Sequence, residues 1–85
     1  MRAEVDRVDD ALLGLLRERA ALARRFGALK RELDLPALDP AREEALLARL
    51  AAAAGPELDE AASRRVFAAV LAECRALVVR AREDP

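Results

Sequence analysis

Lys30 is the only lysine of the chain, among fourteen arginines. It follows Arg19 by eleven residues. At about 100° per residue that separation is almost three full helical turns, so the two cations share one helix face. Ala23 and Phe26 fall on the same face, and the small Ala23 leaves room between the charges. Arg19 also interrupts an apolar seam, Val5, Val8, Leu12, Leu15, Arg19, Leu22, Phe26, Leu29 and Leu33, whose spacing alternates three and four. A guanidinium in such a seam must be paired or must face a pocket that attracts anions. The pattern therefore points to a helical bundle that holds an anion. The plainer alternative is a salt-bridged helix surface, with Arg19 paired to a carboxylate across the bundle.

A second cluster, Asp39, Arg42 and Glu43, opens a later helix. With Asp39 as cap, residues 39, 42, 43 and 46 lie on one side. Leu46 then points to the core, and Arg42 and Glu43 stand at its edge. An ordinary N-terminal turn would look the same, since acids cap helices and favour the positive end of the dipole. Arg2 lies seventeen residues before Arg19, about 100° away around the helix. It cannot share a site with Arg19 of its own chain, but it could reach the middle of a partner's long helix. Otherwise it is a solvated terminal arginine. Cys74 and Val78 fall in an apolar stripe and read first as core residues.

The absences narrow the chemistry further. The chain has no His, Asn, Gln, Thr, Tyr, Trp or Ile, and one Cys. A structural zinc site or a disulfide within one chain is therefore excluded, as is any His-based triad. Reactive groups are confined to Arg, Lys, Asp, Glu, Ser63 and Cys74. The formal net charge of -1 gives no basic excess for a nucleic-acid arm or a membrane-binding patch. An aromatic content of 2% is too low for base-stacking platforms. No apolar run approaches the ~20 residues of a membrane span, and no secretory signal opens the sequence, so the expected compartment is the cytoplasm.

Three helices must position these residues in a single all-α domain over residues 1–85. Helix one is expected from about 2 to 33. At ~1.5 Å per residue it is on the order of 45 Å long, too long for a small monomer to cover, so a partner should complete it. Gly14 and Gly27 within it suggest close backbone approach or simple drift. Asp34 to Leu38 breaks the helix. Asp39-Pro40 starts helix two, expected from about 40 to 54, with Leu46, Leu47, Leu50 and Ala51 as its apolar face. Gly55-Pro56 ends it. Helix three is expected from about 59 to 82, burying Val66, Phe67, Val70, Cys74, Leu77, Val78 and Ala81. Glu83-Asp84-Pro85 reads as a frayed tail.

In order and spacing the chain resembles the all-helical chorismate mutases over nearly its whole length. The stretch from Arg2 through Arg19 to Lys30 is similar to that family's first helix. Asp39-Pro40-Ala41-Arg42-Glu43 matches its Asp-Pro-x-Arg-Glu signature, and Val66 to Val78 is similar to its closing segment. The resemblance implies an intertwined homodimer of three-helix protomers. Arg2 would cross into the partner's site. Arg19 would bind a substrate carboxylate, and Lys30 the ether oxygen and an adjacent carboxylate. Asp39 and Glu43 would engage the ring hydroxyl region, with Arg42 orienting Glu43. The implied reaction, chorismate to prephenate, is a unimolecular pericyclic shift that needs no metal or cofactor, so a chain without His suffices.

The family's last segment reads Ser-Arg-x-x-Gln, or Glu in place of Gln. Here it reads Cys74-Arg75-Ala76-Leu77-Val78. Cys74 is a weaker donor than the hydroxyl it replaces, and Val78 cannot donate at all. This departure implies a slower mutase. It also keeps two alternatives in view: a relative acting on isochorismate or aminodeoxychorismate, and a non-catalytic chorismate-binding or regulatory module. A shikimate-pathway enzyme is the expected protein partner.

Overall fold

The computed structural model describes residues 1–84. Three helices make up the fold: α1 Arg2–Glu32, α2 Pro40–Ala52 and α3 Glu60–Glu83. Among the described residues there is no strand. The boundaries follow local chemistry. Asp39 accepts a hydrogen bond from the Arg42 backbone N–H (3.2 Å) with Pro40 in the first turn, and Asp59 accepts one from Ala62 (2.8 Å). Each side chain thereby satisfies one of the orphan donors at a helix start. α3 continues through Glu83 with Asp84 as its C-cap, so the expected fraying at Glu83 is not observed, while Pro85 lies outside the described residues.

The end of α1 is built by a residue in an unusual conformation. Asp34 has φ 53°, in the left-handed region that favours glycine. Its N–H donates to the Arg31 carbonyl (3.2 Å), and that of Leu35 donates to the Lys30 carbonyl (2.8 Å). This paired closure turns the chain sharply after Leu33. Arg82, near the end of α3, locks the turn by donating from Nε to the Leu35 carbonyl (2.6 Å) and from Nη2 to Asp34 (3.4 Å). The linker that precedes Asp39 is thus tied to α3.

α3 is the central element, packed along α1 on one side and α2 on the other, whereas α1 and α2 do not pack on each other. The result is a single layer of helices, 47 × 27 × 14 Å, little thicker than one helix with its side chains. A single layer cannot enclose a core. The radius of gyration is 15.0 Å, against about 12 Å for a compact domain of this length. Among the described residues the buried apolar ones are Ala23, Ala51, Leu71 and Cys74, joined by Gly27 and Ser63, and no large side chain is fully buried.

Small residues carry the α1–α3 contact. A Cβ placed on Gly27 would lie 2.5 Å from the Val78 carbonyl oxygen and 2.8 Å from the Ala81 Cβ. The glycine therefore permits the two helices to approach closely. Gly14 has nothing within 4 Å and plays no such part. The α3 stripe differs from expectation at its N-terminal end. Val66 is half exposed, and Ser63 and Leu71 are buried instead.

The three-four seam of α1 faces away from its own chain. Val5, Val8, Leu12, Leu15, Leu22, Phe26, Leu29 and Leu33 are each 45–63% exposed. Every residue from Met1 to Leu15 is exposed. An isolated helical stretch of that length is marginal in water. Among the described residues, no helix is long and apolar enough to cross a membrane.

Candidate active site

The end of α1, the linker, the start of α2 and the middle of α3 converge on Lys30 and Glu43. Lys30 Nζ donates to the Ala37 carbonyl at 2.8 Å in a partly buried setting. It also lies 5.4 Å from the centroid of the Phe26 ring, one turn back on α1. The ring face attracts the ammonium, and the carbonyl fixes its direction. The lysine is therefore held in place, while retaining further N–H donors for a ligand.

Glu43 is clamped from α3. Arg75 donates from Nη2 to Oε1 (2.6 Å) and from Nε to Oε2 (3.2 Å). This two-point geometry is the strongest a guanidinium offers a carboxylate. Hydrogen bonding from Arg75 holds the Glu43 carboxyl below the usual carboxylate range. Burial opposes that, the Arg75 charge reinforces it, Asp39 opposes it and Lys30 adds a weaker attraction. Glu43 conversely raises the Arg75 guanidinium above its ordinary value, first through the hydrogen bond. Glu43 is thus an anion at neutral pH, and its charge is already shared with a cation.

The pair carries a pH signature. A carboxyl whose folded pKa is depressed stabilises the fold above its unfolded pKa and loses that contribution as pH falls through the folded value. The Arg75→Ala variant is therefore expected to melt below wild type at neutral pH. The gap should shrink as acid protonates Glu43. A gap that stays constant into strong acid would detach the effect from Glu43.

The remaining expected site residues are placed as follows. Asp39 caps α2 one turn before Glu43, and its charge reaches Glu43. Arg42 is exposed, and its recorded hydrogen bond is from the backbone N–H to Asp39. The cation on Glu43 is thus Arg75, from another helix. Arg19 is partly exposed and makes no ion pair among the described residues. Cys74 is a buried free thiol, and Val78 is half-buried with its backbone against Gly27. Arg2 belongs to the exposed start of α1, about 40 Å along the helix from Lys30 at 1.5 Å per residue. One protomer brings together Lys30, Asp39, Glu43 and Arg75. It does not bring Arg2.

Two participants escaped the sequence reading. Arg75 was visible within the closing segment, but no local pattern pairs it with Glu43, thirty-two positions earlier. The Ala37 acceptor is a backbone atom, which side-chain patterns cannot reveal. Chemically, the cluster presents the fixed Lys30 ammonium and the Arg75 guanidinium beside two acids, Glu43 and Asp39. The spare Lys30 donors can bond a ligand oxygen without proton transfer.

A family model described as chorismate mutase type II matches residues 1–79. The chain is 42% identical over 50 residues to a bifunctional chorismate mutase/prephenate dehydratase of Aquifex aeolicus (strain VF5). That alignment covers 59% of this chain and 14% of the relative, so the chain matches only a small part of the longer protein. No solved structure matches the chain significantly.

Proposed function

The chain belongs to the type II chorismate mutase family, and from that premise we propose that it rearranges chorismate to prephenate. The observation that carries the proposal is the fixing of Lys30 between the Phe26 ring and the Ala37 carbonyl, on the face it shares with Arg19. The dianionic substrate must fold into a chair-like conformer, and opposed cations can enforce it. Arg19 grips one carboxylate. Lys30 binds the other together with the ether oxygen. As the carbon–oxygen bond breaks, negative charge grows on that oxygen, so a preorganised ammonium binds the transition state better than the ground state. Asp39 and Glu43 meet the ring hydroxyl, with Arg75 holding Glu43 in place. Arg42 lies on the ring side and Cys74 near a carboxylate.

The working unit in this proposal is a homodimer in which Arg2 of each protomer enters the partner's site. The exposed seam of α1 and the absence of an enclosed core support it. So does the distance along α1 that keeps Arg2 out of its own site. The name of the Aquifex relative couples a mutase to a prephenate-consuming activity. This supports a shikimate-pathway enzyme as the functional neighbour.

Val78 favours a second reading, a binding or regulatory module without turnover, because valine has no donor for the ether oxygen. One experiment separates the readings: chorismate loss followed spectroscopically for wild type and for Val78→Gln. Missing one such donor costs on the order of 10²–10³ in rate. Val78→Gln is accordingly expected to raise kcat by about tenfold or more, allowing for imperfect placement. Absence of turnover in both proteins, with chorismate still raising the melting temperature, would favour the module. Neither turnover nor a thermal shift would refute both readings.

A further inference from the structure

We propose that a second anion-binding site lies in the cleft between the C-terminal halves of α1 and α3, formed by Arg24, Arg25, Arg31 and Arg80, and that it takes a small organic oxyanion carrying at least two negative charges. The cleft has a volume of about 650 Å³, within the usual range of small-molecule sites. The small and apolar residues Ala21, Ala28, Leu77 and Ala81 also line it, and Asp84 is its one acid. Four guanidiniums and one carboxylate give a local excess of positive charge on a chain whose formal net charge is -1. Glu32 and Glu73, which share these helix faces, are not among the lining residues.

Two observations distinguish this cleft from a merely solvated arginine surface. Arg31 Nη1 is buried and has no hydrogen-bond partner. A buried donor of a charged group left unsatisfied is costly, so the Arg31 guanidinium gains by turning that donor toward an oxyanion in the cleft. In addition, none of the four cleft arginines makes an ion pair among the described residues, whereas Arg64, Arg75 and Arg82 each pair with a carboxylate. Guanidinium forks match phosphate and carboxylate geometry, and the apolar strip between them suits the carbon body of an organic anion.

The cleft is separate from the candidate active site. At about 100° per residue, Arg24, Ala28 and Arg31 lie roughly 100–160° around α1 from Lys30, and Arg80 roughly 140° around α3 from Arg75. The same rotation turns the cleft away from the apolar seam, so a second chain covering the seam would leave it open. Its existence therefore does not depend on the mutase reading.

The test is calorimetric titration of the full chain with pyrophosphate and with citrate, compared with the Arg24→Gln/Arg80→Gln variant. Binding of at least one anion to wild type is expected, weakening with added salt. It should weaken roughly tenfold for each guanidinium removed, the worth of one charge-assisted hydrogen bond. Lys30→Ala should keep the part of this binding that depends on Arg24 and Arg80, and Arg24→Gln/Arg80→Gln should turn over chorismate as wild type does. Failure of both anions to bind, or equal binding by the double variant, would overturn the proposal. So would binding of a deca-glutamate peptide through the same arginines where the small anions do not bind, since that would make the cleft a protein-docking surface.

Discussion

Replacing Lys30 by alanine is expected to lower kcat for chorismate by about 10²–10³, the usual cost of removing one donor to an oxygen that gains charge in the transition state. The loss should be at the upper end of that range here, because Val78 supplies no second donor. Lys30 also bonds the Ala37 carbonyl and lies near Phe26. Its removal therefore costs some stability, of order 1 kcal/mol for a hydrogen bond of this kind. The melting temperature, recorded beside the rate, separates the two effects. A modest shift with a large rate loss assigns the loss to chemistry. Full activity in Lys30→Ala would end the role given to that residue.

Placing a charge on the open seam is expected to cost more than any other single change to the fold. Leu12 is 53% exposed in the protomer. Were that its working environment, Leu12→Asp would be nearly neutral, within about 0.5 kcal/mol. In the proposed dimer each protomer buries this position against the other, and an unpaired buried carboxylate costs about 3–5 kcal/mol. Twofold symmetry applies the cost twice per dimer. Wild type should elute as a dimer by size exclusion with light scattering, and its melting temperature should rise with concentration. Leu12→Asp should lose the dimer and cooperative unfolding together. A stable, folded Leu12→Asp monomer would place the seam outside any obligatory interface.

The parts of the structure that were legible in sequence are those encoded locally. Asp39-Pro40 and Asp59 announce helix starts through their own side chains and rings, and the observed helices begin beside them. The observed helix ends differ from the expected ones by one or two residues, where terminal turns compete with capping geometry. The seam was legible as a stripe, but periodicity cannot say which chain covers it. The contact within the chain uses Ala23 and Gly27, residues too small to register as an apolar face. Gly27 was open to two readings in sequence, close approach or drift, and the choice is made once Val78 and Ala81 are seen against it.

The candidate site divides along the same line. The face shared by Arg19 and Lys30 was legible because both stand on one continuous helix, where spacing alone determines the face. Asp39 and Glu43 were legible because they share one helical turn. The Arg75–Glu43 clamp was not, since it joins two helices whose relative placement is set by packing. The Ala37 carbonyl became visible only when the turn at Asp34 directed the linker back over α1. Val66 was misplaced for a related reason. Helical period identifies it as apolar, but α3 has two neighbours, and the rotation that buries Ser63 and Leu71 leaves Val66 outside.

The central claim is that each site joins Lys30 of one protomer with Arg2 of the other. It is tested most directly by mixing two inactive variants. Arg2→Ala and Lys30→Ala homodimers each lack an essential cation at both sites. After partial unfolding and reassembly of an equimolar mixture, half of the dimers should be mixed, and each mixed dimer regains one intact site. Chorismate turnover is predicted to return to about a quarter of the wild-type value under twofold pairing. A mixture in which dimers exchange yet turnover stays at the level of the separate variants would contradict a site shared between protomers.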